Sequence, residues 1–164
     1  MQHLVDSVRQ SLASNNHYAA LFQAIALPDI AAKLDGRTGG SKARYVAWFN
    51  EYLLHKYQSH IGQNETLHVF LSGNDCYALR CAMLHEGEFD ITSQRARNVL
   101  ESFQFVVPKG GNYMHNNQYQ CALQLQVDVF AEDICSAVED WMQTRAADPD
   151  VSRRIAEMPR IYFD

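Results

Sequence analysis

Arg80 stands five residues before His85 in the most apolar stretch of the chain, Cys76-Tyr77-Ala78-Leu79-Arg80-Cys81-Ala82-Met83-Leu84-His85, and is its only ionised side chain. A guanidinium in such surroundings must pair with a carboxylate or reach a cleft that an anion can enter, because a charge taken out of water without a partner is costly. Asp29 is the best intramolecular candidate. It follows Pro28 at the end of another apolar run, Tyr18 to Leu27, where a carboxylate also needs a reason. Asp75 and Glu86 are nearer in sequence, but Asp75 is itself five residues from Arg80 and so is less well placed. In a purely structural role, Arg80 would tie its helix to one of these carboxylates, and His85 would interact with the last carbonyls and the negative end of the helix dipole.

The segment reads as a helix. Ser72 and Asn74 or Asp75 can cap its start, no proline or mid-segment glycine interrupts it, and Gly87 can stop it. At 100° per residue Cys76, Leu79 and Met83 share one face while Tyr77, Cys81 and Leu84 lie opposite, so apolar residues surround Arg80 and the helix is expected to be buried. Positions five apart lie about 140° around a straight helix. Arg80 and His85 therefore converge only if the helix unwinds near Leu84 or a second copy of the chain supplies one of them.

Arg-x4-His at the end of an apolar helix resembles the R-x4-6-H signature of the HEPN superfamily, small α-helical domains that often act as metal-independent ribonucleases in toxin-antitoxin and antiphage systems. The likeness covers the helical framework around residues 41 to 90. It implies a homodimer whose Arg80 and His85 face one another across a cleft, with RNA as substrate, no cofactor, no metal, and a cognate antitoxin or regulatory protein as a further partner. In that setting Arg80 stabilises the phosphate or developing charge, and His85 is general acid or base. Asp29, Cys81, Asp75 and Glu86 are the supporting residues. One departure is plain: many active members carry Asn, Asp or His directly after the arginine, and this chain has Cys81, whose thiol is a weak donor and a weak acceptor. Two alternatives follow, a catalytically silent HEPN-like interaction or regulatory module, and a small-molecule or nucleotide binder anchored on Arg80.

At 164 residues the chain is expected to be one ordinary domain that buries a core without staples, which the resemblance implies is a single HEPN-like domain over 1–164; 47% are hydrophobic and 20% charged, near globular averages. No run reaches the length of a membrane span, and Met1 to Asp6 lacks the pattern of a signal peptide, so a cytoplasmic protein is expected. Cys76, Cys81, Cys121 and Cys135 show no C-x2-C spacing and sit in apolar runs, which predicts free thiols. The seven histidines are dispersed and form no H-E-x-x-H, so no metal site is expected. A formal charge of −5 excludes a protein that coats nucleic acid through a basic face, but leaves room for a local positive cleft. Basic residues group at Arg37, Lys42 and Arg44, at Arg95 and Arg97, and at Arg153, Arg154 and Arg160; each group alone reads as a solvated face.

The elements that must position these residues follow from pattern. A helical region from His3 to Leu34 is expected to break at Ser14-Asn15-Asn16 and to kink at Pro28. Gly36 to Gly40 forms a turn, and Ser41 caps a helix through about Ser59 whose stripe Tyr45, Trp48, Phe49, Tyr52, Leu53 and Tyr57 is core. Gly62 to Glu65 breaks that helix, and Ser93 to Ser102 reads as a short helix or turn. Phe103 to Val107 and Cys121 to Val129 read as strands joined by Lys109 to Gln118, a β-hairpin at about 103–129. A helix to about Arg145 and a last one from Val151 to Met158 complete a mainly α, HEPN-like helical bundle with an inserted β-hairpin.

Overall fold

The computed structural model describes residues 1–161. Among these the chain forms six α-helices and five strands: α1 Gln2–Ala13, α2 His17–Leu34, α3 Ser41–Tyr52, β1 Gln58–Ile61, β2 Thr66–Val69, α4 Gly73–Cys81, β3 Ser102–Val106, β4 Asn117–Tyr119, β5 Ala122–Gln126, α5 Val127–Thr144 and α6 Pro149–Ala156. A 3-10 turn, Leu54–Lys56, follows α3, and a π-helix, Ala82–Glu86, follows α4. No helix among the described residues is long and apolar enough to cross a membrane.

The expected helical bundle with one hairpin is not what forms. Helix accounts for about 53% of the chain and strand for 14%, the strands making two small sheets, so the fold is mixed α/β. In one sheet β1 and β2 pair antiparallel; in the other the order is β3-β5-β4. The strands expected to form a hairpin, β3 and β5, instead run parallel, with Ser102 opposite Ala122 and Val106 opposite Gln126. The hairpin lies one strand later, β4 on β5, closed by Gln120 at φ +53°. Alternation of apolar residues marks which face of a strand is buried, here Phe103, Leu123 and Leu125, but carries no information about the direction of its partner. The segment 107–121 is long enough for the crossover that a parallel pair requires. Strand β5 also stops at Gln126, where the helical spacing of Val127, Phe130, Ala131 and Ile134 takes over.

Helix α2 lies at the centre, packed on α1, α3 and α5, and α3 in turn packs on α4. It begins where Asn16 accepts a hydrogen bond from the Ala19 N–H and runs on through Pro28, whose missing N–H leaves the Ala24 carbonyl without its helical partner. The stripe on α3 is core: Tyr45, Trp48, Phe49 and Tyr52 are buried, with Trp141 and Phe130 of α5. Each such side chain contributes about 1.5–3 kcal/mol by leaving water. The helix ends at Tyr52 rather than near Ser59 because Tyr57 turns inward. Its hydroxyl donates to Asp133 at 3.1 Å, Lys56 pairs with the same carboxylate at 2.9 Å, and the chain leaves as β1. Segment 93–101 holds turns and no helix.

Candidate active site

The helix carrying Arg80 is fixed at its start by two devices. Ser72 Oγ accepts from the Asp75 N–H at 3.1 Å and donates to Asp75 Oδ2 at 2.7 Å, a reciprocal cap. Gly73 lets α4 abut α3: a Cβ there would lie 2.9 Å from Asn50 Oδ1 and 3.2 Å from the Val46 carbonyl oxygen. Asp75 is thereby committed elsewhere than to Arg80. Its buried Oδ1 accepts the backbone N–H groups of Asn98 at 2.6 Å and Val99 at 3.1 Å, so it anchors the loop after the helix. Its hydrogen bonds thus go to Ser72 and to those main-chain donors, and none to Arg80.

The far end of the helix changes pitch. From Ala82 to Glu86 the hydrogen bonding becomes i→i+5, closing on Gly87, whose φ of +74° is a left-handed cap and whose N–H donates to the Ala82 carbonyl. A π-turn is wider than an α-turn and brings residues five apart onto one side. Arg80 Nη1 consequently lies 3.3 Å from His85 Nε2 within one chain. A guanidinium can only donate, so in this contact Nε2 is the acceptor.

Arg80 Nη2 donates to Asp29 Oδ2 at 2.8 Å, with both side chains about four-fifths buried. The other oxygen of Asp29 accepts from Ser41 Oγ at 3.0 Å. Three elements thus converge: Asp29 from α2, Ser41 from the first turn of α3, and Arg80 with His85 from α4 and its π-turn. Ser41 was read from sequence as a cap; the cap position is Gly40, and the serine hydroxyl is used on Asp29 instead. Arg80 Nε is buried without a hydrogen-bond partner, while His85 is exposed. The ion pair thus orients the guanidinium from behind and leaves the imidazole facing solvent.

Cys81 and Glu86 stand to one side of this cluster. Both line an open cleft of about 510 Å³ together with Lys42, Tyr77 and residues 93–96. Glu86 Oε1 accepts from Gln94 Nε2 at 2.9 Å, so neither Glu86 nor Cys81 hydrogen-bonds to Arg80. Burial pushes the Tyr77 phenol above its ordinary pKa; Ser41, Cys81 and Arg80 are its polar neighbours. The cleft and the Arg80 cluster therefore share the wall built by Tyr77 and the start of α3. Sequence reasoning missed Ser41, Tyr77, Lys42 and Arg95 as neighbours of the site. The two basic groups at 37–44 and 95–97 were visible, but nothing in the sequence said that one member of each, Lys42 and Arg95, lines a common cleft.

All four cysteines are free; Cys76 and Cys135 are buried, and burial pushes each of their thiols up to about 12. Among the described residues no three His, Cys, Asp or Glu side chains converge as a metal-binding group. A larger apolar cavity of about 920 Å³, among Met1, Leu4, Ile155 and Met158, contains none of the Arg80 cluster. No family model, no curated protein and no solved structure matches this chain.

Proposed function

We propose that the chain is a metal-independent endoribonuclease of HEPN type in which Arg80 and His85 carry the chemistry. The observation that supports the reading is the 3.3 Å approach of Arg80 Nη1 to His85 Nε2, with the arginine held from behind by Asp29 at 2.8 Å. In RNA cleavage the 2′-hydroxyl attacks the adjacent phosphorus, the bond to the 5′-oxygen breaks, and a 2′,3′-cyclic phosphate and a free 5′-hydroxyl form. His85 acts as general base, taking the proton from the 2′-hydroxyl once its Nε2, which accepts from Arg80 in the free protein, is released to the substrate. Arg80 offsets the charge that builds on the non-bridging oxygens. The proton for the leaving oxygen comes from a second group in its acid form, and a homodimer supplies one as the imidazolium of the second copy's His85. Restraint by a cognate antitoxin or other regulatory protein in the cytoplasm, in a toxin-like or antiphage setting, belongs to the same proposal.

A silent interaction module is the second reading. It is favoured by Cys81, which lines the neighbouring cleft and places no strong hydrogen-bonding group beside Arg80. The two readings separate on product chemistry. Incubation of a 5′-labelled single-stranded RNA with the protein should give fragments ending in a 2′,3′-cyclic phosphate, resistant to alkaline phosphatase until opened by acid. Fragments with a free 3′-hydroxyl, or none at all, would overturn the nuclease reading.

A further inference from the structure

We infer that the cleft bounded by Lys42, Tyr77, Glu86, Gln94 and Arg95 is a nucleotide subsite selective for guanine, seating the base and phosphate of a residue next to the scissile bond. The inference deepens the ribonuclease reading and, in placing the nucleotide beside the scissile bond, rests on it.

The charges point to a phosphate. Five arginines are paired with carboxylates: Arg9 with Glu132 and Glu139, Arg37 with Asp35 and Glu51, Arg80 with Asp29, Arg145 with Asp35, and Arg153 with Asp150 and Glu157. Lys42 and Arg95 are exposed and have no carboxylate partner among the described residues, yet they come from distant parts of the chain to line one cleft. In a chain with a formal charge of −5, two cations on one concave surface outnumber its one carboxylate, Glu86, and leave a local positive excess for an anion.

The other polar side chains of the lining point to the base. A carboxylate cannot donate, so the contact between Gln94 Nε2 and Glu86 Oε1 fixes the orientation of the amide and turns Gln94 Oε1 away from Glu86. Glu86 Oε2 and Gln94 Oε1 are then two acceptors on the same side chain pair. Guanine alone among the RNA bases offers two adjacent donors on its Watson–Crick edge, N1–H and the 2-amino group. Adenine and cytosine present one donor beside an acceptor, and uracil a donor flanked by acceptors. Tyr77 supplies the aromatic wall on which single-stranded bases are commonly seated. The cleft volume of about 510 Å³ is in the range of small-ligand sites.

Titration calorimetry of the full chain with guanosine 3′-monophosphate and uridine 3′-monophosphate tests the subsite without any cleavage. The guanine nucleotide should bind at least about tenfold more tightly. Lys42→Ala with Arg95→Ala should weaken both nucleotides by about tenfold, and Glu86→Gln should erase the preference for guanine. These three side chains are exposed, and a melting curve for each variant checks that the fold is retained. Equal affinity for both nucleotides, affinity untouched by the double substitution, or no binding would overturn the inference. RNA cleavage without guanine preference would sink the subsite and leave the nuclease reading standing. Selective binding with no cleavage would do the reverse.

Discussion

Arg80 Nη1 and His85 Nε2 lie 3.3 Å apart because the helix that carries them widens into a π-turn between them. A straight α-helix would hold them on divergent faces. One chain thus assembles both groups, and their convergence no longer requires a second copy.

The π-turn depends on Gly87. No atom lies within 4 Å of where its Cβ would be, so the penalty for Gly87→Ala is conformational, about 1–2 kcal/mol for a left-handed backbone. Gly62, at φ +75° and equally open, sits between β1 and β2 and serves as control. Both variants should lose similar stability in denaturant melts. Cleavage should fall only for Gly87→Ala, and an equal fall in both would detach the π-turn from function.

The ion pair should be asymmetric in its energetics. Asp29→Ala leaves a largely buried guanidinium without its carboxylate and should cost about 2–3 kcal/mol, somewhat less than the loss of one partner in a fully buried pair. Arg80→Met keeps the stem packed and leaves Asp29 its bond from Ser41, so its loss should be smaller. Chemical denaturation of the two variants decides this; equal small losses would mean that water, not Asp29, satisfies Arg80.

Asp35 governs acid stability. Its fully buried carboxylate joins Trp141, Arg145 and Arg37. Burial alone would raise its pKa, but the hydrogen bonds from Arg145 and Trp141 and the charge of Arg37 hold it below the usual range. A group depressed in the folded state contributes stability that is full above its unfolded pKa, about 3.9, and is lost as pH falls through the folded value. Asp35→Asn should cost about 3 kcal/mol near neutral pH, and its deficit against wild type should shrink below about pH 4. A deficit constant from pH 7 to pH 2 would show that the carboxylate acts by shape alone.

How much of this was legible depended on whether the signal was local. The break at Asn16, the serine cap at Ser72 and the stop at Gly87 are short-range chemistry, and each stands where the sequence puts it. Pairing Asp29 with Arg80 was legible because two charges in two apolar helices each needed a partner. Long-range choices were not. The parallel pairing of β3 with β5 leaves no trace in alternation, and the early end of α3 is set by Asp133, far along the chain. The loop that Asp75 anchors was not legible because its partners there are main-chain N–H groups, which every residue but proline carries.

Self-association is expected, for a reason other than convergence of the site. Tyr18 is 73% exposed and Phe22 37%, and both fall on the face of α2 that carries Asp29. Exposed aromatic side chains on that face, about 16 and 10 Å along α2 from Asp29, offer apolar area to a two-fold interface. Light scattering at micromolar concentration should give twice the chain mass, and Tyr18→Asp with Phe22→Asp should give the monomer. A monomeric wild-type protein that cleaves RNA would remove the second copy from the mechanism.

The most direct test of the central claim is cleavage of single-stranded RNA in EDTA by wild type, His85→Ala and Arg80→Ala, each checked for folding by a circular-dichroism melt. Wild type should cleave without added metal. His85→Ala, whose side chain is exposed, should fold and be inactive, and Arg80→Ala should lose about a hundredfold or more. Cleavage that survives in folded His85→Ala, or a wild type that cleaves no RNA, would contradict the account.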